Sequence, residues 1–236
     1  MELQKTYYFN KKERHGINSD GGYVIATLDH ALPNHKYDCY ISCGVSNEES
    51  FTRDFLAKYN IPIQHCYAFD GTIHDYPWHY TPNIKFFKKN IGPQDTETEL
   101  NLHSLLRKYK NIFLKMDIEG GEYPWIYNLP EDCLQNIRQL TIEFHGILDN
   151  EWGTELEKKL HIYEKMNKYH YIVHVHGNNY GGTYENKVPT VIELSYVRKT
   201  DVGELQLNKE ISTIPGLDYP NCGIIPDSDV SFFKYP

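Results

Sequence analysis

What the chain lacks narrows it first. No apolar run approaches the roughly 18 residues of a membrane span, and residues 1–6 have none of the charged-then-apolar pattern of a secretory leader. A cytoplasmic protein with no membrane partner is expected. Cysteine is sparse. Cys39, Cys43, Cys66, Cys133 and Cys222 are odd in number, and no two stand in the Cys-x-x-Cys spacing that holds zinc. They read as reduced, mostly buried thiols. Positive charge is also short: 24 Lys and Arg face 32 Asp and Glu, a net charge of -8. That argues against nucleic acid as the main partner, because phosphate backbones demand clustered Lys and Arg. Internal repeats and low-complexity tracts are absent as well.

What is present is an alternation of short apolar runs and helical stripes over 236 residues, enough for one sizeable core and one domain. The organising stretch is Ile112-Phe113-Leu114-Lys115-Met116-Asp117-Ile118-Glu119-Gly120-Gly121-Glu122. Its apolar half suits a central parallel strand covered on both faces. Asp117 then falls at the carboxyl edge, where open α/β sheets bind ligands. Residues 1–35 read as a lead-in and hairpin around the turn Asp20-Gly21-Gly22, residues 36–200 as the core sheet, and residues 201–236 as an irregular tail. Within the core, strands are expected at 37–44, 64–69, 84–88, 112–116, 139–144, 171–175 and 190–197. Helical spacing places Phe51, Phe55, Leu56 and Tyr59 on one stripe, and Leu102, Leu105, Leu106 and Tyr109 on another. A Pro-interrupted helical piece is expected over 125–136, and Leu156, Leu160, Tyr163 and Asn167 mark a further helix face. The link 177–189 has no helical pattern, so the last two strands should form a hairpin with an antiparallel edge strand. The fold class is α/β, with helices on both faces of a mostly parallel sheet.

The ligand is constrained by another absence. A dinucleotide site needs Gly-x-Gly-x-x-Gly after the first strand, so that backbone amides can approach a pyrophosphate. Here the turn is Gly44-Val45-Ser46-Asn47-Glu48-Glu49, with one glycine and two carboxylates that would repel phosphate. It better suits a ligand with a nucleoside, a positive centre and no phosphate. Asp70, ending the second strand, is placed to accept from ribose hydroxyls. S-adenosylmethionine has these properties.

At this point a resemblance enters. Lys115-Met116-Asp117-Ile118-Glu119-Gly120-Gly121-Glu122 resembles the K-x-D-[IV]-E-G-x-E signature of the FkbM family of S-adenosylmethionine-dependent methyltransferases. The segments Asp20-Gly21-Gly22-Tyr23, Ser42-Cys43-Gly44-Val45 with Ser50-Phe51, Ala68-Phe69-Asp70, His174-Val175-His176-Gly177-Asn178-Asn179 and Leu217-Asp218-Tyr219-Pro220-Asn221 are similar to family segments in the same order. The resemblance covers nearly the whole chain. It implies a Rossmann-like class I methyltransferase sheet of seven strands and O-methylation, often of sugars or glycosylated products. The first-strand turn departs from the glycine-rich form of many methyltransferases.

Residue roles follow from the resemblance and from position. Ser42 and Gly44 would border the methionine portion, Asp70 the ribose, Ile91 the adenine, and Asp117 the methionine amino group. Removing a proton from a hydroxyl needs a base, and His145, ending the fifth strand beside Asp117, has a reference pKa suited to that task. Glu143, two residues earlier on the same strand face, could orient the imidazole, and Glu119 completes the catalytic set. His176, Asn178 and Asn179 would meet a polyhydroxyl acceptor, with Trp152 available to stack on a sugar. No metal is expected, although Asp117, Glu119, Glu143 and His145 form an oxygen-rich set with one imidazole that suits a divalent cation. Two further readings stay open: a nicotinamide-dependent nucleotide-sugar enzyme on a similar sheet, and a catalytically silent nucleoside-binding domain.

Overall fold

The computed structural model describes residues 5–28, 36–150, 154–185 and 187–231. An N-terminal antiparallel hairpin pairs β1 (Lys12–His15) with β2 (Tyr23–Ala26). The core follows in alternation: β3 (Cys39–Cys43), α1 (Ser50–Tyr59), β4 (Cys66–Phe69), β5 (Lys85–Phe87), the two-residue strands β6 (Asn90–Ile91) and β7 (Glu99–Leu100), and α2 (His103–Lys108). Then come β8 (Ile112–Met116), α3 (Glu122–Asn128), α4 (Glu131–Leu134), β9 (Ile137–His145), α5 (Leu156–Tyr169), β10 (His170–Thr183), β11 (Pro189–Arg198) and the short α6 (Lys199–Val202). The expected helical piece over 125–136 is two helices. Pro130 cannot donate an amide to continue α3, and it stands at the boundary of α4.

Seven strands form the main sheet in the order β10-β11-β9-β8-β3-β4-β5, while β6 and β7 make a separate parallel pair. Strands β5, β4, β3, β8 and β9 are mutually parallel. The expected antiparallel edge strand is corrected here. The reversed strand is β11, which pairs antiparallel with both β9 and β10 and so sits second from the edge. The short link after β10 forces adjacent, antiparallel strands, and β11 enters between β10 and β9. Much of the link 177–189, which has no helical pattern, is strand, because β10 runs on to Thr183.

The two faces of this sheet differ in chemistry. On one face Ile41, Leu114, Ile142, Phe144 and Leu194 pack with α3 and α5 residues such as Ile126, Ile162 and Met166. On the other face Tyr40 and Phe113 meet Phe51 and Phe55 of α1. Toward β9 and β11 that second face turns polar, because Gln139, Thr141, Glu143 and His145 alternate with the apolar residues of β9, as Glu193 and Ser195 do on β11. Buried polar groups require partners, and β2 supplies them. The Gln139 amide donates to the carbonyl of Ala26 (3.1 Å), and Ser195 Oγ donates to that of Val24 (2.5 Å). The N-terminal hairpin is thereby pinned across the face that carries the site.

Candidate active site

Three neighbouring parallel strands each place one site residue immediately after their last position: Gly44 after β3, Asp70 after β4 and Asp117 after β8. They line a cavity of about 350 Å³, together with Asp20, Glu48, Phe69, Asn90, Ile91, Lys115 and Glu119. That volume lies in the range of small-molecule sites. Five carboxylates and two lysines line it, and both lysines already donate to carbonyls, Lys115 to Gly44 (2.8 Å) and Lys89 to Thr96 (3.0 Å). Carboxylates thus outnumber lysines five to two in the lining, a balance that disfavours an anionic pyrophosphate.

Gly44 is fixed by crowding as well as by conformation. Its φ is +81°, and a Cβ at this position would stand 1.6 Å from the Asp117 carbonyl oxygen. The two strand ends can therefore lie this close only without a side chain. Asp70 has a more structural task than expected. Its Oδ2 accepts from the amides of Val45 (3.0 Å) and Ser46 (2.9 Å), and its Oδ1 from the amide (2.7 Å) and hydroxyl (2.6 Å) of Thr72. Burial pushes its pKa up, but these hydrogen bonds outweigh burial and hold it below the usual carboxylate value. Asp70 shapes the first-strand turn, with little capacity left for a ribose. Asn90, whose Oδ1 lies against Gly71, stands beside it. Ile91 lines the cavity as expected. Ser42 does not; its hydroxyl donates to buried Glu49 Oε1 at 2.9 Å.

His145 ends β9 at 5% exposure and faces acids on both ring edges. Nδ1 is 3.3 Å from Glu122 Oε1, while Nε2 is 3.3 Å from Glu119 Oε2 and 3.6 Å from Glu143 Oε1. The orienting role expected of Glu143 falls to Glu122, which is fully buried and fixed by the Ile118 amide at 3.0 Å. Burial pushes the His145 pKa down, but Glu122, Asp117 and Glu119 outweigh it, and the net direction is up. Glu143 is pushed well up by burial, then by Asp117, Glu193 and Asp20. Asp117 rises to about 6, chiefly through burial. The Tyr23 hydroxyl lies 3.3 Å from Asp117 Oδ2 and 3.4 Å from Glu143 Oε2, with one proton to donate to either carboxylate.

Of the three residues expected to meet an acceptor, only Asn178 joins this cluster, donating to Glu143 Oε1 at 2.9 Å. His176 and Asn179 bond instead to the C-terminal tail. His176 lies between Glu193 (Nδ1 to Oε2, 3.1 Å) and Asp227 (Nε2 to Oδ1, 3.0 Å). These acids raise its pKa to about 10 against the opposing effect of burial. Asn179 donates to the carbonyls of Cys222 and Ile225, both at 3.0 Å, and accepts from the Cys222 amide at 2.7 Å. Neither has a group to spare for substrate. Trp152 lies outside the described residues.

Glu122, Tyr23, Lys115 and Asp20 belong to the site without having been assigned roles from sequence. All four stand in the two quoted signature segments, so the signal was available. Among the described residues, ligand atoms of Asp117, Glu143 and His145, and separately of Asp20, Glu143 and Glu193, lie within 4.8 Å of one another, close enough to gather a cation. No described helix is long and apolar enough to cross a membrane. A search of curated proteins returned no match. A family model, the methyltransferase FkbM domain, matches residues 5–173 and so includes β1 through β9, every strand end that lines the cavity, and His145. The chain belongs to the FkbM methyltransferase family.

Proposed function

We propose that this methyltransferase is an S-adenosylmethionine-dependent O-methyltransferase with the class I, Rossmann-like arrangement, acting on a hydroxyl of a nucleotide sugar, glycan or glycosylated product. The observation that supports the cofactor is the cavity lining, five carboxylates against two lysines, beside the ends of three adjacent parallel strands. When bound, S-adenosylmethionine supplies an electrophilic methyl group on a positively charged sulfur. Gly44 and Asp117 would hold the methionine portion, Asn90 with the Asp70 turn the ribose, and Ile91 with Phe69 the adenine. His145 then takes the acceptor proton, positioned by Glu122 and flanked by Glu119. The acceptor meets Asp20 and Glu119 of the cavity wall, polar partners suited to a polyol and ill suited to an apolar acceptor. The buried, unpaired thiols fit a reducing compartment such as the cytoplasm.

The same reading needs no metal. A histidine that ligates an ion through Nε2 has no lone pair left for a proton, so base and ligand are exclusive roles for that nitrogen. The test is release of the demethylated cofactor from a panel of nucleotide sugars, oligosaccharides, phenols and proteins, with and without chelator. Turnover confined to the sugars and unaffected by chelator is expected. Activity only on phenols or proteins would sink the sugar assignment.

A further inference from the structure

A neutral imidazole has one N–H and one lone pair. His145 presents both ring nitrogens to carboxylate oxygens, Nδ1 to Glu122 and Nε2 to Glu119 and Glu143. In neutral form one edge would aim its lone pair at an anion. Imidazolium turns a proton and positive charge toward the acids on both edges, yet imidazolium cannot take a proton from a hydroxyl. A base role for His145 therefore requires that this proton leave before the transfer.

The surroundings indicate what removes it. Acids converge from every packed element: Asp117 after β8, Glu119 in the following turn, Glu122 on α3, Glu143 on β9, Glu193 on β11 and Asp20 before β2. Tyr23 and Asn178 bond to the same carboxylates, and Lys115 is the cation facing Asp117. A buried excess of acids retains protons, which agrees with the upward direction at Asp117, Glu143 and His145. A fixed positive charge brought among them reverses that preference.

Resting on the cofactor reading above, we propose that the Asp117–Glu143–His145 cluster gives up one proton in exchange for the positive charge of the methyl donor, making His145 a neutral base only in the loaded cavity. His145 Nε2 then accepts the hydroxyl proton as the new O–C bond forms and the S–C bond breaks, with the electron pair of that bond remaining on sulfur. The site carries the same positive charge throughout: on imidazolium, on the donor, and on imidazolium again. The proton produced by each turnover leaves when the next donor binds, so the donor must bind before the acceptor can be activated.

Calorimetric titration near pH 7, in two buffers of different ionisation enthalpy, reads proton release directly. S-adenosylmethionine should release about one proton more per site than its neutral product S-adenosylhomocysteine, which carries the same amino and carboxylate groups. Equal release with both ligands bound overturns the proposal, whereas binding of neither removes the cofactor reading and this inference with it. In a His145→Gln variant the difference should vanish. Its undiminished persistence would assign the proton to a carboxylate and overturn the role given to His145.

Discussion

At the scale of single residues, the site is a set of committed partners. A His145→Ala variant should still bind the donor, while turnover falls roughly a hundredfold or more, the usual scale of general-base removal. Turnover at the wild-type rate would take the base role away from it. Asp70→Ala removes the acceptor for the Val45, Ser46 and Thr72 amides. It should therefore cost about 1 to 3 kcal/mol in folding stability and weaken the donor as well. Chemical denaturation and calorimetry separate these losses, and unchanged stability would show that the turn holds its shape unaided. Asp70, Asp117, Glu119 and His145 were legible in the sequence because strand ends are where an α/β sheet exposes polar groups. The partner of His145 was harder to read. Glu143 shares its strand face, but Glu122 reaches Nδ1 from the turn of α3, and only the chain's path through Gly120 and Gly121 brings it there. Asp70 follows the end of β4 and lines the cavity, yet no local pattern announces that backbone amides claim both its oxygens.

Among elements, the alternation Gln139-Leu140-Thr141-Ile142-Glu143-Phe144-His145 is the most informative passage after the signature, since it means one dry face and one polar face. The polar face is closed by β2 and by the tail. His176 on β10, between Glu193 and Asp227, is the fastener with a pH signature. Its folded pKa of about 10 lies above the unfolded value near 6.5, so the folded state binds the extra proton between these limits. Its contribution is fully present below pH 6.5 and is lost as pH rises through 10. Unfolding free energy should fall across that window by an amount on the order of a few kcal/mol, and a His176→Gln variant should show a flatter decline. Parallel denaturant titrations between pH 6 and 9.5 check this, and identical slopes would contradict it. The position of β11 escaped the sequence reading for a topological reason. A hairpin after β9 can add either of its strands to the sheet, and the strand chemistry of β10 and β11 is alike. His176 and Asn179 bond to the tail, and buried amides and imidazoles that fasten a tail have the same composition as a polyol site.

For the whole molecule, the strands of the seven-stranded sheet and the irregular tail were visible as hydrophobic periodicity and its loss, and the N-terminal hairpin as a turn signal. What periodicity could not show is how the far ends of the chain meet. Asn221 donates to Asp20 Oδ1 at 2.9 Å and to Glu193 Oε1 at 2.7 Å, and Arg14 donates to the Leu217 carbonyl at 3.2 Å, so the tail and the N-terminal hairpin close the acidic side of the site together. The fold thus gathers Asp20, Glu48, Asp70, Asp117 and Glu119 around one cavity, and the proposed cofactor requires that this charge select a cationic nucleoside over a pyrophosphate. Equilibrium binding of S-adenosylmethionine and of NAD to the wild-type protein, side by side at physiological salt, tests this most directly. Saturable one-site binding of S-adenosylmethionine with no detectable binding of NAD is the predicted result; binding of NAD with none of S-adenosylmethionine would contradict it.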